Sequence, residues 1–195
     1  AYAVVSYNAA SVNTSPWTAK IDTAAPETSA LTAAPSGWTG SNVTITGSVT
    51  DTGGSGVKGY YYKCAAADGV TFSAGPSISF TCSSTGGQTA SAYGIDNANI
   101  TDGTPSSVSY YIDKTAPTTP AISASPSGWT SGNVTISAGS AITDAGGSGV
   151  SGYYYRCAAG TAWNLSAGTS ISFTCTGTGG QTAEAYAVDG AGNPD

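Results

Sequence analysis

The aspartates of this 195-residue chain include two matching sets, Asp22, Asp51 and Asp96, then Asp113, Asp144 and Asp189. Asp51 and Asp144 open nearly identical stretches, DTGGSGVKGYYYKC (51–64) and DAGGSGVSGYYYRC (144–157). Carboxylates at turn positions can cap the turn by accepting hydrogen bonds from nearby backbone amides. Gathered in one place, they can instead hold a hard cation such as Ca²⁺, which takes roughly six to eight oxygens. Asp51 and Asp144 are the better-placed ligands, because the GGSG that follows frees the backbone around them.

Other chemistry is restricted by what the chain lacks. There is no histidine, so a Ser-His-Asp or Cys-His arrangement is not available. A glycosidase needs two carboxylates that converge once, whereas these acids recur at repeated turn positions. No glycine-rich phosphate loop precedes a helix, since no window carries a helical stripe. The expectation is a protein that is not an enzyme. Four cysteines form two equally spaced pairs, Cys64/Cys82 and Cys157/Cys175. Without CxxC spacing or histidine, zinc fits poorly and disulfides fit well, which points outside the reducing cytoplasm, to an extracellular or cell-surface location.

Aromatic residues offer a separate candidate surface. Trp17, Tyr61 and Trp163 could stack on a sugar ring if exposed, and Trp163 stands where the first copy has Val70. Asn13, Asn42, Asn99, Asn133 and Asn164 each begin an N-x-S/T triplet, a pattern that arises readily in so threonine-rich a chain.

Charge narrows the partners further. Only 8% of residues are charged, the formal net charge is −6, and the basic residues Lys20, Lys58, Lys63, Lys114 and Arg156 are scattered. This balance argues against nucleic acid. No apolar run approaches the ~18 residues that span a bilayer as a helix, so no membrane insertion is expected.

The elements that must position these residues come in repeats. PSGWTGSNVTI (35–45) returns as PSGWTSGNVTI (126–136), SISFTC (77–82) as SISFTC (170–175), and GGQTASAYGID (86–96) as GGQTAEAYAVD (179–189). SAGSAITD in the second copy carries two residues more than TGSVTD in the first. Residues 1–26 align without a gap on 92–117. The chain therefore divides into 1–20, the terminal strand of a preceding repeat or a donor strand, 21–111, the first repeat, and 112–195, a second repeat lacking its last strand. It lacks an initiator Met and starts and stops mid-repeat, as a processed subunit or a slice of a longer array would.

Within each copy, short β runs such as NVTITGSVT, GVKGYYYKC and SISFTC alternate with Gly, Ser, Asp and Pro clusters. About seven such strands in ~90 residues predict an all-β fold of tandem immunoglobulin-like sandwiches. Alternation puts Tyr60, Tyr62 and Cys64 on one face and Tyr61 and Lys63 on the other. Ile78, Phe80 and Cys82 share a face in the same way. The charged member assigns its face to solvent, so both cysteines point inward from facing sheets, where a cross-sheet disulfide can form. Ala90, Ala92 and Gly94 supply small residues against the tyrosine rings, while Glu184 marks the opposite register as exposed.

These motifs together, ID-x-T-A-P, SGWT-x-x-NVTI, D-x-GGSGV-x-x-Y-x-Y and the closing D-x-AGN (Asp189, Ala191, Gly192, Asn193), resemble the bacterial immunoglobulin-like repeats of large surface and secreted proteins. The paired cysteines depart from the commoner cysteine-free pattern, and so does DNAN (96–99) in the first copy. The resemblance implies a structural module of an extracellular fibre or adhesin stalk. Its partners would be adjacent repeats or neighbouring subunits. In such a topology the incoming linker and two inter-strand turns share one end, which would gather each aspartate set at a domain junction, where Ca²⁺ would stiffen the array. Two alternatives stay open: a module binding cell-surface glycan or a receptor through Trp163, Trp17 or Tyr61, and a pilus-like subunit that polymerises by donor-strand addition.

Overall fold

A computed structural model of the chain describes residues 19–195. Among these, all regular structure is β. The first repeat contains β1 (Glu27–Thr28), β2 (Thr32–Ala34), β3 (Trp38–Thr39), β4 (Val43–Thr50), β5 (Val57–Lys63), β6 (Thr71–Ala74), β7 (Ser77–Cys82), β8 (Gly86–Asp96) and β9 (Ser106–Ile112). One sheet pairs β4 with β1 and β2 along one edge and with β7 along the other. The second runs β3-β9-β8-β5-β6, with β3 parallel to β9 and the remaining pairs antiparallel.

Alternation along these strands builds the core. Val43 and Ile45 of β4, Ile78, Phe80 and Cys82 of β7, Tyr60 of β5, and Ala90 and Ala92 of β8 are all buried. The small residues lie beside the tyrosines in the same sheet, Gly94 next to Tyr60 and Ala92 next to Tyr62, which leaves the rings room in a thin sandwich. Tyr62 stacks on Phe80 across the sheets, with ring centroids 4.3 Å apart. The Tyr60 hydroxyl donates to the Ser79 carbonyl and accepts from the Ser79 N–H, each at 3.1 Å. Tyr153 does the same with Ser172 in the second repeat. A phenylalanine could fill this volume but could not satisfy the strand opposite.

The second repeat contains β10 (Ile122–Ser125), β11 (Val134–Ala138), β12 (Val150–Arg156), β13 (Asn164–Ala167), β14 (Ser172–Cys175) and β15 (Glu184–Asp189). These form a β10-β11-β14 sheet and a β13-β12-β15 sheet. Their core repeats the first, with Ile136, Tyr153, Ile171, Phe173 and Ala187 buried. In both repeats a disulfide joins the two sheets, Cys64–Cys82 and Cys157–Cys175, with Cα atoms 5.4 and 5.5 Å apart. The all-β, disulfide-bridged sandwich expected from the strand pattern is the fold observed.

The copies differ at one edge. β8 pairs with β9, whereas among the described residues β15 pairs only with β12. Residues 179–183, equivalent to the start of β8, accordingly carry no strand. Trp38, beside β9, rests on Tyr111 at 5.3 Å, while its counterpart Trp129 is 91% exposed beside an open cleft of about 1030 Å³. The ladder and the tryptophan both need the neighbouring strand as support.

Candidate functional site

Each aspartate set lies at one end of a sandwich. Asp22 precedes β1 in the incoming segment, Asp51 follows β4, and Asp96 closes β8. Asp113 follows β9, Asp144 stands between β11 and β12, and Asp189 closes β15. Within each set the three residues offer carboxylate oxygens that all lie within 4.8 Å of one another. Asp96, Asp113 and Asp189 are buried, and the other three are half-buried.

The capping role is also present. Asp22, Asp51, Asp113, Asp144 and Asp189 each accept the amide two residues on, at 2.8–3.0 Å. Capping explains one oxygen of each of these residues; at Asp22 and Asp113 the other oxygen is bound from far along the chain. Asp22 Oδ2 accepts from the Ser55 N–H and Asp113 Oδ2 from the Ser148 N–H, both at 2.9 Å. In each case the linker aspartate is fastened to the glycine-rich turn. Hydrogen bonds from the Ser55 side chain and amide, with that of Ala24, hold the Asp22 carboxyl below its ordinary value. At Asp113 burial pushes the value up, but donors from Ser148 and Thr115 outweigh it and the net direction is down.

The glycines of the turn have separate tasks. A Cβ on Gly53 would overlap Asp22 Oδ1, and a Cβ on Gly146 would overlap Asp113 Oδ1, so the first glycine admits the linker carboxylate. Gly54 and Gly147, with φ of 99° and 104°, supply the left-handed conformation that follows.

At the second set the linker is held once more: Asn193 Nδ2 donates to the Asp113 carbonyl at 2.9 Å and to Asp189 Oδ2 at 2.6 Å. Lys114 Nζ in the same linker donates to Asn42 Oδ1 of the first repeat at 2.9 Å. Sequence reasoning singled out the aspartates and missed Asn193 as a junction residue, although it closes the D-x-AGN motif.

The aromatic candidates are dispersed. Trp17 lies outside the described residues. Tyr61, expected on a solvent face, is half-buried because Phe72 and Tyr93 flank it, each at 5.3 Å. Trp163 is 37% exposed, meets Tyr186 edge-on at 4.8 Å, and has the Arg156 guanidinium 4.4 Å from its ring centroid. Arg156 also pairs with Glu184, which leaves Glu184 half-buried rather than free in solvent. One face of the Trp163 indole is therefore already occupied.

No protein-family model matches the chain, and no curated protein matches it significantly. Among solved structures it is similar to the fibronectin(III)-like modules of Clostridium thermocellum CbhA, with 12% identity, 85% of this chain and 90% of that chain covered, and a TM-score of 0.41. It is also similar to a structure of carbohydrate-binding modules from the β-sandwich superfamily, with 12% identity, 78% and 84% covered, and a TM-score of 0.38.

Proposed function

We propose that the chain is a non-catalytic structural module of an extracellular fibre or adhesin stalk, built from tandem immunoglobulin-like repeats and stiffened at its domain junctions, with Ca²⁺ as the cross-linking ion. The observation that carries this reading is the fastening of each linker aspartate to the turn of the sandwich that follows it, Asp22 to Ser55 and Asp113 to Ser148. Such a bond has little purpose in a free loop and a clear one in a spacer, where the angle between neighbours must be held. Each group of three carboxylates concentrates like charge that a divalent cation would offset. The two disulfides support secretion, since such bonds persist in oxidising compartments. Calorimetry tests the proposal: Ca²⁺ should raise the melting temperature, and chelator should reverse the shift. Identical curves under the two conditions would remove the ion from the reading.

A glycan-binding role is the second reading. It rests on Trp163 with Arg156 and Glu184 beside it, an aromatic surface with polar partners that the first repeat lacks. Glycan-array binding lost on Trp163→Ala would favour it. Among the described residues β15 pairs only with β12, and this open edge supports a third, association by strand addition, which concentration-dependent oligomers in light scattering would reveal.

A further inference from the structure

The two carboxylate groups share a backbone and differ in one side chain. Asp96 aligns with Asp189 and Ile100 with Asn193. The loop between them is closed the same way in both repeats. The Asp96 N–H donates to the Ile100 carbonyl at 3.0 Å, and the Asp189 N–H to the Asn193 carbonyl at 3.2 Å. The Ile100 N–H reaches Asp96 Oδ1 at 2.7 Å, and the Asn193 N–H reaches Asp189 Oδ1 at 2.7 Å. The side chain is where they part.

At the second group every carboxylate oxygen accepts at least one hydrogen bond. Asp113 takes the amides of Thr115 and Ser148, Asp144 those of Gly146 and Gly149, and Asp189 those of Ala191 and Asn193 together with the Asn193 side chain. At the first group Asp22 and Asp51 are likewise satisfied, by Ala24, Ser55, Gly53 and Gly56. Asp96 Oδ2 is the exception: the residue is 0% exposed and this oxygen has no partner among the described residues. Leaving a buried charged acceptor unpaired is costly.

Asn193 indicates what belongs there. Its Nδ2 lies between Asp189 Oδ2 and the Asp113 carbonyl, bridging the strand end to the linker. The equivalent oxygens in the first repeat are Asp96 Oδ2 and the Asp22 carbonyl, and Ile100 has no donor to place between them. Among the described residues no lysine or arginine forms a salt bridge with any of these aspartates. An open hollow of about 670 Å³, lined by Lys20, Asp22, Gly53, Ser55 and Asn97, adjoins the first group. Ser148 Oγ at the second group is also buried without a partner among the described residues, but a hydroxyl is neutral and carries its own rotatable proton.

We infer that the Asp22, Asp51 and Asp96 group is a Ca²⁺ site in which the ion takes the place that the Asn193 amide fills at the other junction, so that the first junction is ion-dependent and the second is closed by protein alone. This rests on the reading of the carboxylate groups as junction fasteners and divides them into two kinds. Isothermal titration of the full chain with CaCl₂ after chelator treatment, with circular dichroism to confirm folding, tests it. Wild type should take up one ion. Ile100→Asn should weaken binding by at least about tenfold, Asp96→Asn should do the same, and Asn193→Ile should create a second site. Two equal sites in wild type, or unchanged binding in folded Ile100→Asn, would overturn the division while leaving the junction reading intact. No binding by folded wild type or folded Asn193→Ile would overturn the division and remove the ion from the proposed function, leaving the hydrogen-bonded fastening of the linkers in place.

Discussion

Asp113 Oδ2 accepts the Ser148 N–H at 2.9 Å, tying the segment that leaves the first sandwich to the turn that opens the second. The Thr115 N–H holds the other oxygen at 3.0 Å. Asp113→Ala leaves these amides without their acceptor. The expected loss is about 1–3 kcal/mol, read as a lower urea midpoint. Loss confined to the second repeat, followed by the fluorescence of a variant with Trp17 and Trp38 replaced, would identify the linker bond as its source.

The same junction depends on two glycines. Gly53→Ala and Gly146→Ala drive a methyl group into the linker carboxylates of Asp22 and Asp113, which should cost about 1–3 kcal/mol, as overpacking does. Gly69→Ala is the control, because a Cβ there meets nothing within 4 Å. Comparable melting temperatures for all three variants would contradict the close approach.

Acid should unfold the first repeat through Asp102. Burial raises its carboxyl, but hydrogen bonds from Thr104 and from the side chain and amide of Thr28 outweigh that and hold it below the ordinary value of 3.8. A depressed folded value means that the stabilisation is complete above 3.8 and is lost as pH falls through the folded value. Asp102→Asn should flatten the dependence of stability on pH below about 4, measured by urea titration at a series of pH values.

The tyrosine hydroxyls make a prediction of their own. Tyr60→Phe and Tyr153→Phe keep the ring and remove the partner of Ser79 or Ser172. Each should cost about 1–3 kcal/mol, with Tyr61→Phe nearly neutral by the same urea measurement.

Removal of a disulfide should act through the unfolded chain. Cys64 and Cys82 lie 18 residues apart, so replacing both with serine should lower stability by about 3 kcal/mol in the loop-entropy model. Cys157 and Cys175, with the same separation, should behave alike, and a smaller effect at either would mean strain in the bridged form.

The sequence by itself determined the strands, their inward faces and the cysteine pairing, because a pleated strand writes its two faces as a two-residue alternation and a repeat writes its period twice. Tyr60, Ile78, Phe80 and Cys82 were legible as core on those grounds alone. The aspartates were legible as a repeated set, and immunoglobulin topology placed them at one end. Distances belong to tertiary structure: only the packing of linker, turn and strand end brings Asp22, Asp51 and Asp96 within 4.8 Å. Only packing, too, decided that Trp38 has Tyr111 beneath it while Trp129 stands in solvent, and that Phe72 and Tyr93 enclose Tyr61. The contrast between Ile100 and Asn193 lay open in the letters, yet it had no meaning until the fold showed Asp189 Oδ2 bound by the Asn193 amide and Asp96 Oδ2 buried without a partner among the described residues, since satisfying a polar atom depends on what the rest of the chain places beside it.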